Sequence, residues 1–229
     1  MVFNDREYGI MNIVKIKTKT GKEFERDYHK YDYDSLRRRY VPSWDEYQEA
    51  LKKVSEYHKM TMILRLGHEL GISPYALVNL KKCHLNTQKP RSIFIEIAKG
   101  VVRGKKRKAV TMRSRLLPLN DTLYSQLMMY VETHDAPYII PNERFPMKPL
   151  TVQRVSQLYQ KYDIKWTPHK ARSFFRNQLK SQLIPKGMYS ETEVRKIMGH
   201  QPRDSAERYD DLNFELAMLY VNEAFVKRM

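Results

Sequence analysis

The chain has 229 residues, with 42 lysines and arginines against 26 aspartates and glutamates, for a formal net charge of +16. That length suits one large domain, or one domain with an appendage, around a sizeable core. The charge suits a polyanionic partner, and nucleic acid comes before a membrane surface or a ribosome.

Cys83 is the only cysteine, which excludes a disulfide framework and a cysteine-based zinc site and suits a reducing cytoplasm. No apolar run reaches membrane-spanning length, and the first residues carry no secretory pattern. Residues 1–41 read as an appendage. Asn12 to Thr18 alternates apolar and polar residues, Lys19 to Lys22 can turn, and Glu23 to Tyr28 can return as a second strand of a hairpin. Tyr28 to Tyr40 mixes aromatic and basic residues and ends in Arg37, Arg38 and Arg39. It reads equally as a nucleic-acid-tracking arm and as a solvated linker.

The main domain is expected over 42–229. Ser43 and Glu46 form a capping box before Trp44, Tyr47, Leu51 and Val54 at helical spacing. A second helix is predicted from Met60 to Leu70. Gly71 ends it, Ser73 caps the next, and Pro74 takes that helix's first position. Lys89 to Arg115 holds ten basic residues and one acid, Glu96. Ile93 to Ala98 reads as a strand, and Leu116 to Leu119 ends a returning one. Between them lie Arg103, Lys105, Lys106, Arg107 and Lys108, a cluster suited to phosphates. Further helices are predicted over Asn120–Glu132, with Leu123, Leu127, Met128 and Val131 inward, and from Thr151 to about Tyr162. The last is an amphipathic helix over Leu212–Val226 that buries Leu216, Leu219 and Phe225.

Thr167 and Pro168 predict a helix start running to near Leu183, and Ser190 with Glu193 a second, short one. His169 and Arg172 lie one helical turn apart and share a face. His200 follows Gly199, and Tyr209 stands nine residues later. An arginine fork suits phosphate oxygens, histidines donate hydrogen bonds or move protons, and a tyrosine phenol beside cations can attack phosphorus.

His-x-x-Arg, then Gly-His, then this tyrosine resembles the C-terminal half of the tyrosine recombinase (phage integrase) catalytic domain. The wording around His169 to Leu179 is closest to integrases of archaeal viruses and plasmids. The resemblance implies a mostly helical α+β domain with a small β-hairpin or sheet, to which the N-terminal hairpin is added. It implies cutting and rejoining of duplex DNA through a 3′-phosphotyrosine. Tyr209 is then the nucleophile, and Arg172, His169 and His200 stabilise the phosphorane. A hairpin lysine, Lys99 by counting from the strand start, or else Lys105 or Lys106 at a tip near Gly104, is the general acid. Lys170 and Arg176 join the basic cluster as DNA contacts. No metal or cofactor is implied, since the seven histidines are scattered away from carboxylates. The terminal helix packs either on a neighbouring protomer, making a homo-oligomer on DNA, or on its own domain. The family's N-terminal clamping domain does not fit in 41 residues, so either the hairpin replaces it or the chain is a reduced or truncated member.

One departure stands out. The family's Gly-Leu-Arg-x-Ser-Glu-Leu run matches Gly71, Ile72 and Leu77, but its first catalytic arginine falls on Ser73 and its acidic residue on Ala76. Arg65 is the nearest upstream substitute. A silent DNA-binding protein on the same scaffold is therefore the alternative reading, because Gly71 to Leu77 also resembles a helix-turn-helix corner. A type IB topoisomerase-like enzyme is the third.

Overall fold

The computed structural model describes residues 13–17, 23–27, 40–88, 91–99, 111–198 and 213–225. The chain divides into two compact units, Met1–Tyr40 and Val41–Met229. In the first, β1 (Ile13–Lys17) and β2 (Glu23–Asp27) pair antiparallel, with Ile13 opposite Asp27 and Lys17 opposite Glu23. This is the expected hairpin.

In the second unit most helices begin where a short polar side chain can take an orphan backbone N–H. The Ser43–Glu46 box is complete and opens α1 (Trp44–Lys53). Ser73 caps α3 (Pro74–Val78), Asn120 caps α4 (Asp121–Val131) and Thr151 caps α5 (Val152–Lys161). By contrast α2 (His58–Leu70) has no side-chain cap at Tyr57 and starts two residues earlier than the apolar spacing predicts. It ends at Gly71 in the left-handed region, φ 59°.

The sheet has three antiparallel strands in the order β3 (Leu85–Asn86), β4 (Ser92–Lys99), β5 (Thr111–Pro118). β3 is a two-residue strand that sequence patterning misses, because only its pairing with Ser92 and Ile93 defines it. β4 and β5 pair from Ser92 opposite Pro118 to Lys99 opposite Thr111, so the return strand ends within the expected Leu116–Leu119 stretch.

Two expectations near the C-terminus change. The helix expected from Pro168 is a 3-10 turn, Pro168–Lys170, leading into α6 (Ala171–Leu183), and Thr167 makes no side-chain cap. The Lys170 N–H instead bonds the Thr167 carbonyl at 2.9 Å, the i→i+3 pattern that tightens a first turn. After α7 (Glu191–Ile197), the last helix α8 (Phe214–Phe225) buries Ala217, Tyr220, Val221, Ala224 and Phe225, while Leu219 is 44% exposed. The inward stripe thus holds Phe225 as expected, with Leu216 partly buried against the core, and leaves out Leu219. Two small alanines let α8 lie close on α6, where Gln178 Nε2 donates to the Ala224 carbonyl at 3.0 Å and Phe225 stacks on Phe175 at 5.5 Å. α8 therefore packs on its own domain.

The core is built around α2. Met60, Met62, Ile63, Leu64, Leu66 and Leu70 are all buried, each contributing about 1.5–3 kcal/mol relative to exposure. Its C-terminal turn also buries His68 and Glu69, and these need partners. Glu69 accepts from the Tyr47 hydroxyl (2.9 Å), Arg65 (2.8 Å) and Asn120 Nδ2 (2.9 Å), which ties α1, α2 and the α4 cap together. His68 Nδ1 lies 2.9 Å from the Leu64 carbonyl, and Trp166 Nε1 donates to Nε2 at 2.9 Å. The imidazole is therefore neutral, with its proton on Nδ1.

Burial holds the His68 pKa down to about 4. Below its ordinary value near 6.5 the unfolded chain takes up a proton that the folded chain refuses, so stability falls as pH drops from 6.5 towards 4. The loss is about 3 kcal/mol at 1.36 kcal/mol per pKa unit. Burial raises Glu69 and works in the opposite direction on acidification. Comparing wild type with His68→Gln by urea denaturation across this range cancels the Glu69 contribution. The difference between the two should shrink steadily with acidification, and a constant difference would show that His68 protonates freely in the fold.

Among the described residues no helix is long and apolar enough to cross a membrane. No group of three or more histidine, cysteine, aspartate or glutamate side chains there could hold a metal ion.

Candidate functional site

Arg172 sits on the first turn of α6, and its guanidinium joins three segments that are far apart in sequence. One terminal nitrogen donates to the Gly71 carbonyl at 3.4 Å, where α2 ends and the Ile72–Ser73 segment begins. The other donates to the carbonyl of Met198, the C-cap of α7. Met198 is buried, and Gly199 and His200 follow it directly. A guanidinium has five N–H groups in a rigid plane, so two carbonyls fix its orientation and leave donors for an anion. Burial lowers the Arg172 pKa from its ordinary value, yet an arginine remains charged.

The close approach at Gly71 depends on its lacking a side chain. A Cβ there would lie 2.6 Å from Phe175 Cδ1 and 2.8 Å from Cγ, and Phe175 is one helical turn from Arg172 on α6. The same glycine thus closes α2, admits the α6 aromatic ring and offers its carbonyl to Arg172.

His169 lies in the 3-10 turn ahead of Arg172 and is exposed, and Lys170 beside it is half-buried. His200 and Tyr209 lie outside the described residues, as do Arg103, Lys105, Lys106, Arg107 and Lys108. Lys99 is the last residue of β4, at the end of the paired ladder, directly before residues 100–110. Arg91, within the same basic segment, pairs with Asp121 at 3.0 Å and covers the Tyr124 ring at 4.2 Å.

Ser73 and Arg65 are both occupied. The Ser73 hydroxyl accepts the Ala76 N–H at 3.3 Å as the α3 cap. Arg65 donates to buried Glu69 and is only 19% exposed. Arg65 therefore belongs to the core network around Glu69.

Arg176, expected among the DNA contacts, pairs with Glu191 at the start of α7. Lys180 stands 3.7 Å from the same carboxylate, and the Tyr189 hydroxyl donates to it. Sequence reading misses Glu191, because an acidic residue after a serine cap looks like an ordinary first-turn charge. It also misses the two carbonyls of Gly71 and Met198, since backbone acceptors have no sequence signature.

Neither a family sequence model nor a curated protein sequence matches the chain. Solved structures do. The chain is similar to XerA recombinase, with TM-score 0.54 and 19% identity over 86% of this chain and 69% of that one. It is similar to the integrase from mycobacterium phage Brujita, with TM-score 0.58 and 17% identity over 83% of this chain and 61% of that one. It is also similar to the lambda integrase catalytic core, with TM-score 0.53 and 16% identity over 74% of this chain and 96% of that one. The chain thus spans less than two thirds of the Brujita integrase and nearly all of the isolated lambda core. At these identities the likeness is one of fold, and the fold, mostly helical with a small three-stranded antiparallel sheet, is that of the tyrosine recombinase catalytic domain.

Proposed function

We propose that this protein is a site-specific DNA recombinase that cuts and rejoins duplex DNA through a covalent tyrosine intermediate. The observation that carries the reading is the Arg172 guanidinium, held on the Gly71 and Met198 carbonyls where three motif segments meet. In this reading the Tyr209 phenol attacks the scissile phosphorus and the 5′ oxygen leaves. Arg172, His169 and His200 hold the charge on the phosphorane, and Lys99 protonates the departing oxygen. The phosphodiester energy stays in the protein–DNA bond, so no nucleotide cofactor is consumed. The first unit, Met1–Tyr40, acts as an arm, and the basic residues of the 103–108 segment carry affinity for duplex backbone.

The test is incubation with a nicked duplex that traps the cleaved complex, followed by a denaturing gel. Wild type should leave a slow-migrating protein–DNA band, and Tyr209→Phe should leave none. Tight duplex binding with no such band would favour the alternative, a silent DNA-binding protein on the same fold. One observation supports that alternative: the family's first arginine position is a serine that serves as a helix cap, and Arg65 already pairs with Glu69.

Ser73→Arg separates the two. Losing one charge-stabilising donor costs about 10²–10³ in rate, so supplying it should speed covalent complex formation by up to that factor. The dissociation constant should stay within a few-fold, because many other cations carry binding. Loss of the cap costs about 1 kcal/mol, so a thermal melt must accompany the assay. An unchanged cleavage rate in a folded variant would mean that no cation is missing.

A further inference from the structure

We infer that Glu191 is a positioning residue: it locks the start of α7 onto α6 so that the far end of α7 presents Met198 to Arg172. The inference rests on the recombinase reading for its catalytic consequence, and on the packing alone for the clamp.

Arg172, Arg176 and Lys180 follow one another at i, i+4 and i+8, so they form one stripe along α6. α7 meets this stripe at both ends. Its first residue, Glu191, takes Arg176 on one carboxylate oxygen and the Tyr189 hydroxyl on the other, with Lys180 at 3.7 Å. Its C-cap, Met198, takes Arg172. The two attachment points are about 10 Å apart along a seven-residue helix. The connection ahead of α7 is fastened as well: Lys186 pairs with Glu223, the Tyr220 hydroxyl donates to the Met188 carbonyl, and Lys180 lies 5.7 Å from the Tyr189 ring centroid.

The carboxylate is the hub of this arrangement. The Tyr189 hydrogen bond, and after it the Arg176 and Lys180 charges, keep Glu191 below the usual carboxylate range against the pull of burial. Burial and Glu191 together push Tyr189 up to about 12. Val194, Ile197 and Met198 bury the apolar side of α7, while Glu191 and the Met198 carbonyl give it polar ties to α6. Without the charged contact at the start of α7, the Met198 carbonyl loses its fixed distance from Arg172. A displacement of about 1 Å in such a constellation can cost on the order of 10²-fold in rate.

The experiment compares wild type, Glu191→Ala, Glu191→Gln and Arg176→Ala, together with the Glu191→Ala/Arg176→Ala double variant. Three quantities are read on each: covalent complex formation on the nicked duplex, duplex affinity, and hydrogen exchange of the Val194–Met198 amides. Glu191→Ala should slow covalent complex formation about 10–100-fold. Duplex affinity should hold within a few-fold or tighten, because Arg176 and Lys180 are released towards phosphate. The α7 amides should exchange about ten-fold faster or more. Glu191→Gln keeps the shape and an acceptor for Tyr189, so it should fold and show the same pattern more weakly. The double variant should be no slower than the worse single, as one shared contact requires. Wild-type cleavage and exchange in folded Glu191→Ala would overturn the clamp and leave the recombinase reading standing. Faster exchange with a wild type that never forms the covalent complex would overturn the recombinase reading and the catalytic half of this inference with it.

Discussion

Arg172→Lys should slow covalent complex formation on a nicked duplex by about 10²–10³-fold, the usual cost of losing one preorganised donor set at a developing oxyanion. Charge is conserved in this change, so the loss isolates geometry. The guanidinium reaches the Gly71 and Met198 carbonyls at once and still has N–H groups left in the same plane. An ammonium on a flexible stem cannot hold two fixed carbonyls and a phosphate together. Duplex affinity should move by a few-fold at most, since the chain carries 42 basic residues. Stability should fall too, because charge-assisted hydrogen bonds contribute about 1.5–3 kcal/mol each and the buried Met198 carbonyl would lose its partner. A rate reduced less than ten-fold, in a variant whose melting temperature has dropped, would mean that Arg172 is a strut and not a phosphate ligand.

Gly71→Ala should destabilise the fold by about 2–5 kcal/mol. Two costs add: about 1–2 kcal/mol for an L side chain in the left-handed region, and about 1–3 kcal/mol for overpacking. At φ 59° the new Cβ would stand 2.6 Å from Phe175 Cδ1, and that ring is pinned in turn by stacking on Phe225. Gly187 provides an internal control. It has φ 66° but nothing within 4 Å of an added Cβ, so Gly187→Ala should show the conformational cost without the clash, about 1–2 kcal/mol. Urea denaturation of the two variants measures the difference. Equal losses would mean that Phe175 moves aside freely. Arg172 takes its first acceptor from Gly71, so a folded Gly71→Ala protein should also cleave more slowly than its residual stability explains.

What was legible in the sequence was whatever a few neighbouring residues decide. Ser43 with Glu46, Ser73 with Pro74, and Thr151 each start a helix through a bond within three residues, and each is found where expected. Gly71 ends α2 for the same local reason. The start of α2 was missed because Tyr57 caps nothing, and β3 because two residues become a strand only through Ser92 and Ile93. In α8 the expected Phe225 is buried, but Leu219 is not, because Ala217 and Ala224, whose small size lets α6 approach, take the inward positions. The order of His169, Arg172, His200 and Tyr209 is readable in the sequence, though only His169 and Arg172 lie among the described residues, and the occupation of Arg65 by Glu69 is not. That pairing exists because Tyr47 and Asn120, from other elements, complete the carboxylate's shell. The hub at Glu191 escaped for the same reason, with Arg176 supplied from another helix.

The bond between Arg172 and Gly71 joins residues 101 positions apart, and the one between Trp166 and His68 spans 98. On a ribosome adding about 5–20 residues per second, α2 is made roughly 5–20 s before α6 can cover it. During that interval α2 has no α6 to pack on, and His68 lacks its Trp166 partner, whereas the Tyr47, Arg65 and Asn120 partners of Glu69 are already made. This part of the core is therefore made well before the helix that encloses it. A nascent chain halted before Trp166 should bind a chaperone that recognises apolar helices, and should release it once Phe175 has emerged and closed over Gly71.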